Sequence, residues 1–303
     1  MRAARLQILL SAVCFGTTGT AQALGPDGMP PAVVGAARIV GGGALLVLVA
    51  VLAGRRRPRG GRWARGPVAL AALGVAAYQL AFFAAVADTG VAIGTVVALG
   101  SAPAITGALE WLVERRRPDA RWFPATALAC AGVTLLVLQS AAAAGVSAPG
   151  VALAVLAGAS YATYTLAAKR MLEQGHAPEP VMAAAFGAGA VLLAPVLALG
   201  DTSVLWTADG LVLAAFLAIV PTALAYVLFA RGLRSLSAAE TSTLTLAEPL
   251  TAALLGVIVL AERPGAGALA GAGLVLAGLV VLAGTTPRRR PARPVARVAP
   301  ELP

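Results

Sequence analysis

The chain has 303 residues, of which 59% are apolar and only 12% are charged, and its formal net charge is +10. A soluble globular domain is about 25% charged, so this composition excludes an ordinary soluble fold and indicates an integral membrane protein. The positive charge does not predict nucleic-acid binding, because the arginines lie in short clusters between apolar segments and no soluble basic domain is present.

Ten apolar segments of about 20 residues follow one another along the chain, with turn-forming or charged stretches between them. We predict an all-α membrane protein with ten transmembrane helices at 6–24, 32–53, 67–87, 90–112, 122–140, 150–169, 180–199, 210–230, 238–260 and 266–284. The first segment also has the pattern of a signal peptide that ends at Ala21-Gln22-Ala23. The tail, 285–303, is rich in proline and arginine, so we expect a disordered cytoplasmic segment that contacts anionic lipid.

The sequence aligns with itself without gaps at a shift of 146 residues. Proline and glycine matches carry the most weight, because these residues have consequences for the backbone. They pair Pro103 with Pro249, Pro118 with Pro264, and Gly132 with Gly278. We therefore predict two five-helix repeats, at 1–140 and 150–284. Loss of the first segment would leave the first repeat one helix short, so we expect that segment to be retained.

The charges between the segments predict how the repeats are oriented. Five helices per repeat is an odd number, so the second repeat enters the membrane from the opposite side and the repeats are inverted. Six arginines lie in 54–65, whereas its counterpart, 200–211, has none and two aspartates instead. If the N-terminus is cytoplasmic, every basic residue except Arg38 and Arg263 lies in a cytoplasmic segment. We predict that both termini are on the cytoplasmic side of the cell membrane.

The end of the second repeat reads AEPLTAALLGVIVLAERPGAGALAGAGLVLAGLVVL, a proline followed by an apolar stretch, Glu262 and a glycine-rich last helix. This pattern resembles that of EamA-type proteins in the drug/metabolite transporter superfamily. Arg38 in AARIVGGG and the motif CFGTTG at 14–19 are also similar to motifs of that family, with Phe15 where tryptophan is common. The resemblance covers about residues 6–284. It implies export of amino acids or other small metabolites across the cytoplasmic membrane, and a peripheral fifth helix in each repeat.

Ionisable residues inside the predicted helices are few, and such residues often mark transport sites. Glu248 lies about ten residues into the ninth segment, near the membrane midplane, and Pro249 follows it. A carboxyl group there suits a proton carrier beside a broken helix, and also suits a structural hydrogen bond to a neighbouring helix. For Arg38 we consider three alternatives: it binds a carboxylate of the solute, neutralises Glu248, or extends to the outer surface.

Neutral polar residues within the spans are further candidates for a solute path. They are Gln22, Tyr78, Gln79, Tyr161, Tyr164 and Tyr226. Tyr161 and Tyr164 share one helix face because they are three residues apart. The single histidine, His176, falls in a loop and is expected to be solvated. Three glutamates near cytoplasmic ends are expected to be solvated or paired with arginines: Glu110, Glu114 and Glu240.

These features favour a secondary transporter that exports a small organic solute, such as an amino acid or a drug-like molecule, by alternating access of the two repeats. The sequence has no GxxxxGK[ST] motif for ATP, no HExxH motif and no histidine in a span, so we expect no cofactor, no metal and no enzyme activity. The alternative is a membrane protein that handles lipid or regulates a partner. The expected partners are the solute and the lipid bilayer, and the oligomeric state stays open, with a homodimer among the alternatives.

Overall fold

The computed structural model of the chain describes residues 2–54, 63–138 and 147–284, except for the side chains of residues 91 and 92. Within these ranges 85% of the residues are helical and none is in a strand. The tail at 285–303 and most of the arginine-rich segment at 54–65 lie outside the described residues.

Each predicted segment corresponds to a helix in the described part of the chain, with ends that differ by a few residues. These helices are α1 (Arg2–Ala23), α2 (Pro31–Gly54), α3 (Arg65–Gly90), α4 (Ile93–Glu114), α5 (Trp122–Leu138), α6 (Ala148–Glu173), α7 (Pro178–Leu199), α8 (Ala208–Leu233), α9 (Ala238–Val259) and α10 (Ala266–Ala283). By length and hydropathy, eight of them are able to cross a membrane. The exceptions are α1, whose apolar stretch contains several threonines and glutamines, and α5, which has 17 residues. The structure therefore confirms a multi-span helical protein, and the count of ten crossings stays a prediction.

The ninth helix is interrupted immediately before the candidate carboxylate. Regular α-helix ends at Leu244 and resumes at Ala247. Pro249 has no N–H to donate to the carbonyl of Thr245, four residues earlier. The N–H of Glu248 donates to that carbonyl instead, at 2.9 Å. This shorter hydrogen bond tightens the turn, and the sequence predicted a break at this proline.

Two other helical connections depart from regular geometry. Gly90, between α3 and α4, has φ 80° and ψ 159°, a conformation that is accessible mainly to glycine. The middle of α8 forms a π-turn over Ile219–Leu224, where the Thr222 hydroxyl donates to the carbonyl of Leu217 at 2.8 Å. Single π-turns are frequently found at functional sites, and Leu217 lines the cavity described below.

The last helices of the two predicted repeats, α5 and α10, pack against each other through glycine. A Cβ atom on Gly132 would stand 2.6 Å from the carbonyl oxygen of Gly271, and one on Gly278 would stand 2.6 Å from that of Ala125. These two contacts are related by the 146-residue shift, because Ala125 is the counterpart of Gly271 and Gly132 that of Gly278. Small residues at both positions let the backbones approach closely.

Candidate functional site

A cavity of about 880 Å³ lies between the two predicted repeats and reaches the middle of the helical bundle. Its walls come from α1, α2, α3, α4, α6, α8 and α9, with contributions from α5 and α10. It contains seven of the eight residues that the sequence analysis singled out: Gln22, Arg38, Tyr78, Gln79, Tyr161, Tyr226 and Glu248. The eighth, Tyr164, does not line it.

Arg38 and Glu248 face this cavity without direct partners in the part of the chain that the structure describes. No salt bridge within 4.0 Å joins either side chain to a described residue. The Nε atom of Arg38 is buried and makes no hydrogen bond. Among the described residues, the cavity wall therefore holds one arginine and one glutamate without direct partners, and ionisable residues within membrane helices often mark transport sites.

Tyr161 lines the cavity next to the break in α9. The hydroxyl of Tyr161 lies 3.0 Å from that of Thr245, which itself donates to the Ser242 carbonyl at 2.7 Å. Tyr164 is one turn further along α6, where its ring is 2% exposed and its hydroxyl lies 3.4 Å from that of Tyr226. Tyr164 therefore contacts the cavity residue Tyr226 without lining the cavity itself.

The two glutamines of the candidate set differ in their surroundings. Gln79 is buried and its side-chain amide donates to the carbonyl of Gly35 at 3.0 Å, which connects α3 to α2 close to Arg38. Gln22 lies near the end of α1, where its amide makes a longer contact of 3.4 Å with the carbonyl of Thr18. Gln79 therefore belongs to the fixed wall of the cavity, whereas Gln22 lies towards its opening.

Several lining residues were not predicted as site residues. Ser242 and Thr245 lie six and three residues before Glu248 in STLTLAEP, and hydroxyls so close to an intramembrane carboxyl were a usable signal. Phe82 and Phe83 also line the cavity, and Phe82 stacks on Tyr78 with ring centroids 5.7 Å apart. An aromatic residue in an apolar span carries no sequence signal that separates a cavity wall from a lipid-facing surface.

The cavity opens at one end of the bundle. Its rim includes Pro31 at the start of α2 and the residues from Glu262 to Gly265, between α9 and α10. The carboxylate of Glu262, the residue that resembles the family glutamate, lies over Gly256, where a Cβ atom would come within 2.3 Å of it. We call this the open end; the other end, near Arg5, Arg115 and Arg170, is the arginine-rich end.

The arginine-rich end is closed by contacts between the two predicted repeats. The carboxylate of Glu110 accepts hydrogen bonds from the N–H groups of Ala238 and Ala239, the latter at 2.9 Å. The indole N–H of Trp122 donates to the carbonyl of Ala239 at 3.1 Å and lies 3.0 Å from the hydroxyl of Thr243. These bonds fix the first turn of α9 against α4 and α5.

Ion pairs add to this closure. Arg5 pairs with Glu240 at 2.7 Å, Arg116 pairs with Glu173 at 2.7 Å, and Arg170 pairs with Glu114. Each pair joins one predicted repeat to the other. The expectation that glutamates at this end pair with arginines is confirmed for Glu114 and Glu240.

Two expectations for this end are wrong. Glu110 is only 3% exposed, and its direct partners are backbone N–H groups because the start of α9 lies directly against it. His176, expected to be solvated, is also 3% exposed, because the ring of Trp63 stacks on it with centroids 4.0 Å apart. Nearness to a helix end did not reveal either contact, since both depend on a neighbour distant in sequence.

Comparison with known proteins places this architecture among membrane transporters. The sequence pattern of the EamA-like transporter family matches the chain twice, over residues 3–138 and 148–284. An uncharacterized transporter of Bacillus subtilis (strain 168), YwfM, is 41% identical over 285 residues, which cover 94% of this chain and 95% of that protein. A solved crystal structure that is 20% identical superposes with a TM-score of 0.79 and covers 93% of this chain and 96% of its own. At that identity the crystal structure supports the fold alone.

Proposed function

Because the chain belongs to the EamA-like transporter family, we propose that it is a secondary transporter that exports a small organic solute across the cytoplasmic membrane. The observation that carries this proposal is the 880 Å³ cavity, which Arg38 and Glu248 both line without a direct partner among the described residues. A charge at the bilayer centre costs about 2.5–3.5 kcal/mol on insertion scales. A chain that keeps two such charges around an open cavity is suited to hold a solute between them.

The mechanism we propose is alternating access between two inverted repeats. Two separate family matches and the symmetric glycine contacts of α5 with α10 support the repeats. The arginine-rich end is cytoplasmic in this proposal, following the preference of arginine for that side. The structure then corresponds to a state open to the outside, in which contacts such as Arg5–Glu240 close the cytoplasmic end. Export requires that these contacts break while the rim at the open end closes.

Glu248 is the proposed proton carrier. Its side chain is half-buried and borders the cavity, and the break in α9 leaves irregular backbone beside it. Broken helices at the midplane are where many transporters bind their solutes and coupling ions. An inward proton that neutralises Glu248 would alter its attraction to Arg38, which ties proton entry to occupation of the cavity by the solute.

A variant in which a large side chain fills the cavity tests the proposal without a prior choice of solute. Gly19 lines the cavity, and a Cβ atom placed there meets nothing within 4 Å, so Gly19→Trp would fill the space without displacing backbone. Gly273 is equally open but lies on α10 outside the cavity, which makes Gly273→Trp the matched control. Inside-out membrane vesicles with each protein are screened for uptake of a metabolite mixture.

We expect at least one metabolite to accumulate with the wild-type chain and with Gly273→Trp, and to be lost with Gly19→Trp. If no metabolite accumulates in any vesicle, or if both tryptophan variants behave alike, the cavity is not a solute path. A lipid-handling protein would instead exchange labelled lipid between proteoliposomes, and this exchange would be sensitive to Gly19→Trp.

A further inference from the structure

Part of the cavity lining is aliphatic. Six residues form it, and we call it the apolar arm: Leu99, Leu136, Ala252, Ala253, Val257 and Ala268. On α9, Ala252 lies one turn after Glu248, whereas Ala253 and Val257 continue the face that begins at Pro249. From Glu248 to Val257 the helix rises about 13 Å at 1.5 Å per residue, so the arm extends from the level of Glu248 towards the open end.

Arg38 enters the cavity from another side. It is carried by α2, which packs chiefly against α7, whereas the arm includes residues of α5 and α10, which pack against each other. Arg38 lies seven residues from the start of α2, about 10 Å below the open end. The polar groups of Arg38, Tyr78 and Gln79 are thus contributed by α2 and α3, whereas the aliphatic side chains of the arm are contributed by α4, α5, α9 and α10.

The unpaired Arg38 indicates the charge of the group it would receive. A guanidinium offers a planar set of N–H donors that matches a carboxylate or a similar oxyanion. Its Nε donor is buried and unbonded, and no carboxylate lies within 4.0 Å of it among the described residues. An anionic group on a solute in this cavity would provide the Arg38 side chain with such a partner.

The size and lining of the arm indicate the rest of the solute. A volume of about 880 Å³ lies near the upper end of the range for drug-sized ligands, about 300–1,000 Å³. Water gains little in a space lined by leucine, valine and alanine, because it needs polar partners there. An aliphatic or aromatic group would fill the arm and contact its walls.

We propose that the solute is an amphipathic organic anion, with its acidic group on Arg38 and its apolar part in the arm. This rests on the proposed function, and it adds a substrate class and a second subsite.

The test measures binding of pentanoate and nonanoate to the full chain in lipid nanodiscs, with empty nanodiscs as the blank. Burial of each added CH₂ strengthens binding by up to about fourfold, so nonanoate should bind at least about tenfold more tightly than pentanoate. Nonylammonium, of equal length and opposite charge, should bind at least about tenfold more weakly than nonanoate. Equal affinity for the two carboxylates would overturn the proposal, as would equal affinity for nonanoate and nonylammonium.

Two substitutions locate the parts of the bound probe. Ala253→Phe fills the arm and should bring the ratio of nonanoate affinity to pentanoate affinity towards one. Leu254→Phe is the control, because Leu254 is 57% exposed on the lipid side of α9. Arg38→Gln should weaken both carboxylates by about 10–100-fold. If Arg38→Gln does not fold, Arg38→Lys is used instead, because lysine keeps the charge but not the planar guanidinium. Arg38→Lys should weaken binding of both carboxylates while still preferring carboxylate to ammonium.

The outcomes separate this inference from the proposed function. Suppose that Gly19→Trp blocks solute uptake, but carboxylate binding does not depend on chain length or on Ala253→Phe. The amphipathic anion would then be refuted, and the proposed transport function would stand. If carboxylate binding depends on chain length but no metabolite is taken up, the transport function would be refuted and the binding site would stand.

Discussion

Replacement of Glu248 by glutamine separates a role in proton coupling from a role in folding. Glutamine has nearly the same shape as glutamate but cannot release a proton. The Glu248 carboxylate makes no hydrogen bond or salt bridge to the described residues, so the amide would lose no partner there. We expect the free energy of unfolding to change by less than about 1 kcal/mol, as for substitutions that break no contact.

The effect on transport should be much larger. With one proton exchanged per solute, a pH difference of one unit supplies about 1.4 kcal/mol, which corresponds to about tenfold accumulation of the solute. In the proposed mechanism an inward proton drives export, so the solute should accumulate on the acidic side. Glu248→Gln carries no proton, so it should equilibrate the solute to about equal concentrations on the two sides or not move it at all.

The assay uses proteoliposomes with matched protein amounts, a clamped membrane potential and the solute found in the vesicle screen. Asp201→Asn is the control, because Asp201 is an exposed carboxylate outside the cavity. Hydrogen bonds from the hydroxyl and N–H of Ser203 lower the pKa of Asp201, so it stays ionised across the assay and should not affect coupling. If Glu248→Gln kept tenfold accumulation and the wild-type dependence on pH, Glu248 would not be the proton carrier.

Three further predictions concern topology and packing. A reporter fused after Pro303 should be active only in the cytoplasm, since nearly all arginines then lie inside; activity outside would reverse the assigned orientation. Intact-mass analysis should find α1 retained, because Phe15 is buried and Gln22 lines the cavity; loss of residues 1–23 would contradict the five-helix repeat. Gly278→Val should lower the free energy of unfolding by about 1–3 kcal/mol, since its Cβ would meet the α5 backbone. Gly273→Val meets nothing within 4 Å and is the control; equal melting temperatures for the two variants would show that the α5–α10 contact is not tight.

Sequence alone determined the features that depend on short stretches of chain. A segment of about 20 apolar residues partitions into lipid whatever its neighbours are, so the helices were predicted to within a few residues. The helix break before Glu248 followed from a proline that has no N–H. Charge placement and the 146-residue repeat supported the two-part organisation. The two family matches, over residues 3–138 and 148–284, divide the chain in the same way.

Tertiary structure alone decided which side of each helix faces the cavity. Most of these helices are apolar all round, and lipid is as apolar as the protein interior, so hydropathy does not specify their rotation about the helix axis. Packing brought Arg38 and Glu248, which are 210 residues apart, to one cavity and turned Tyr164 behind its wall. It also placed Glu110 against the backbone of α9, where the sequence analysis expected solvent or an arginine partner. These arrangements depend on close contacts at small residues such as Gly132, whose partners become known only when the helices are assembled.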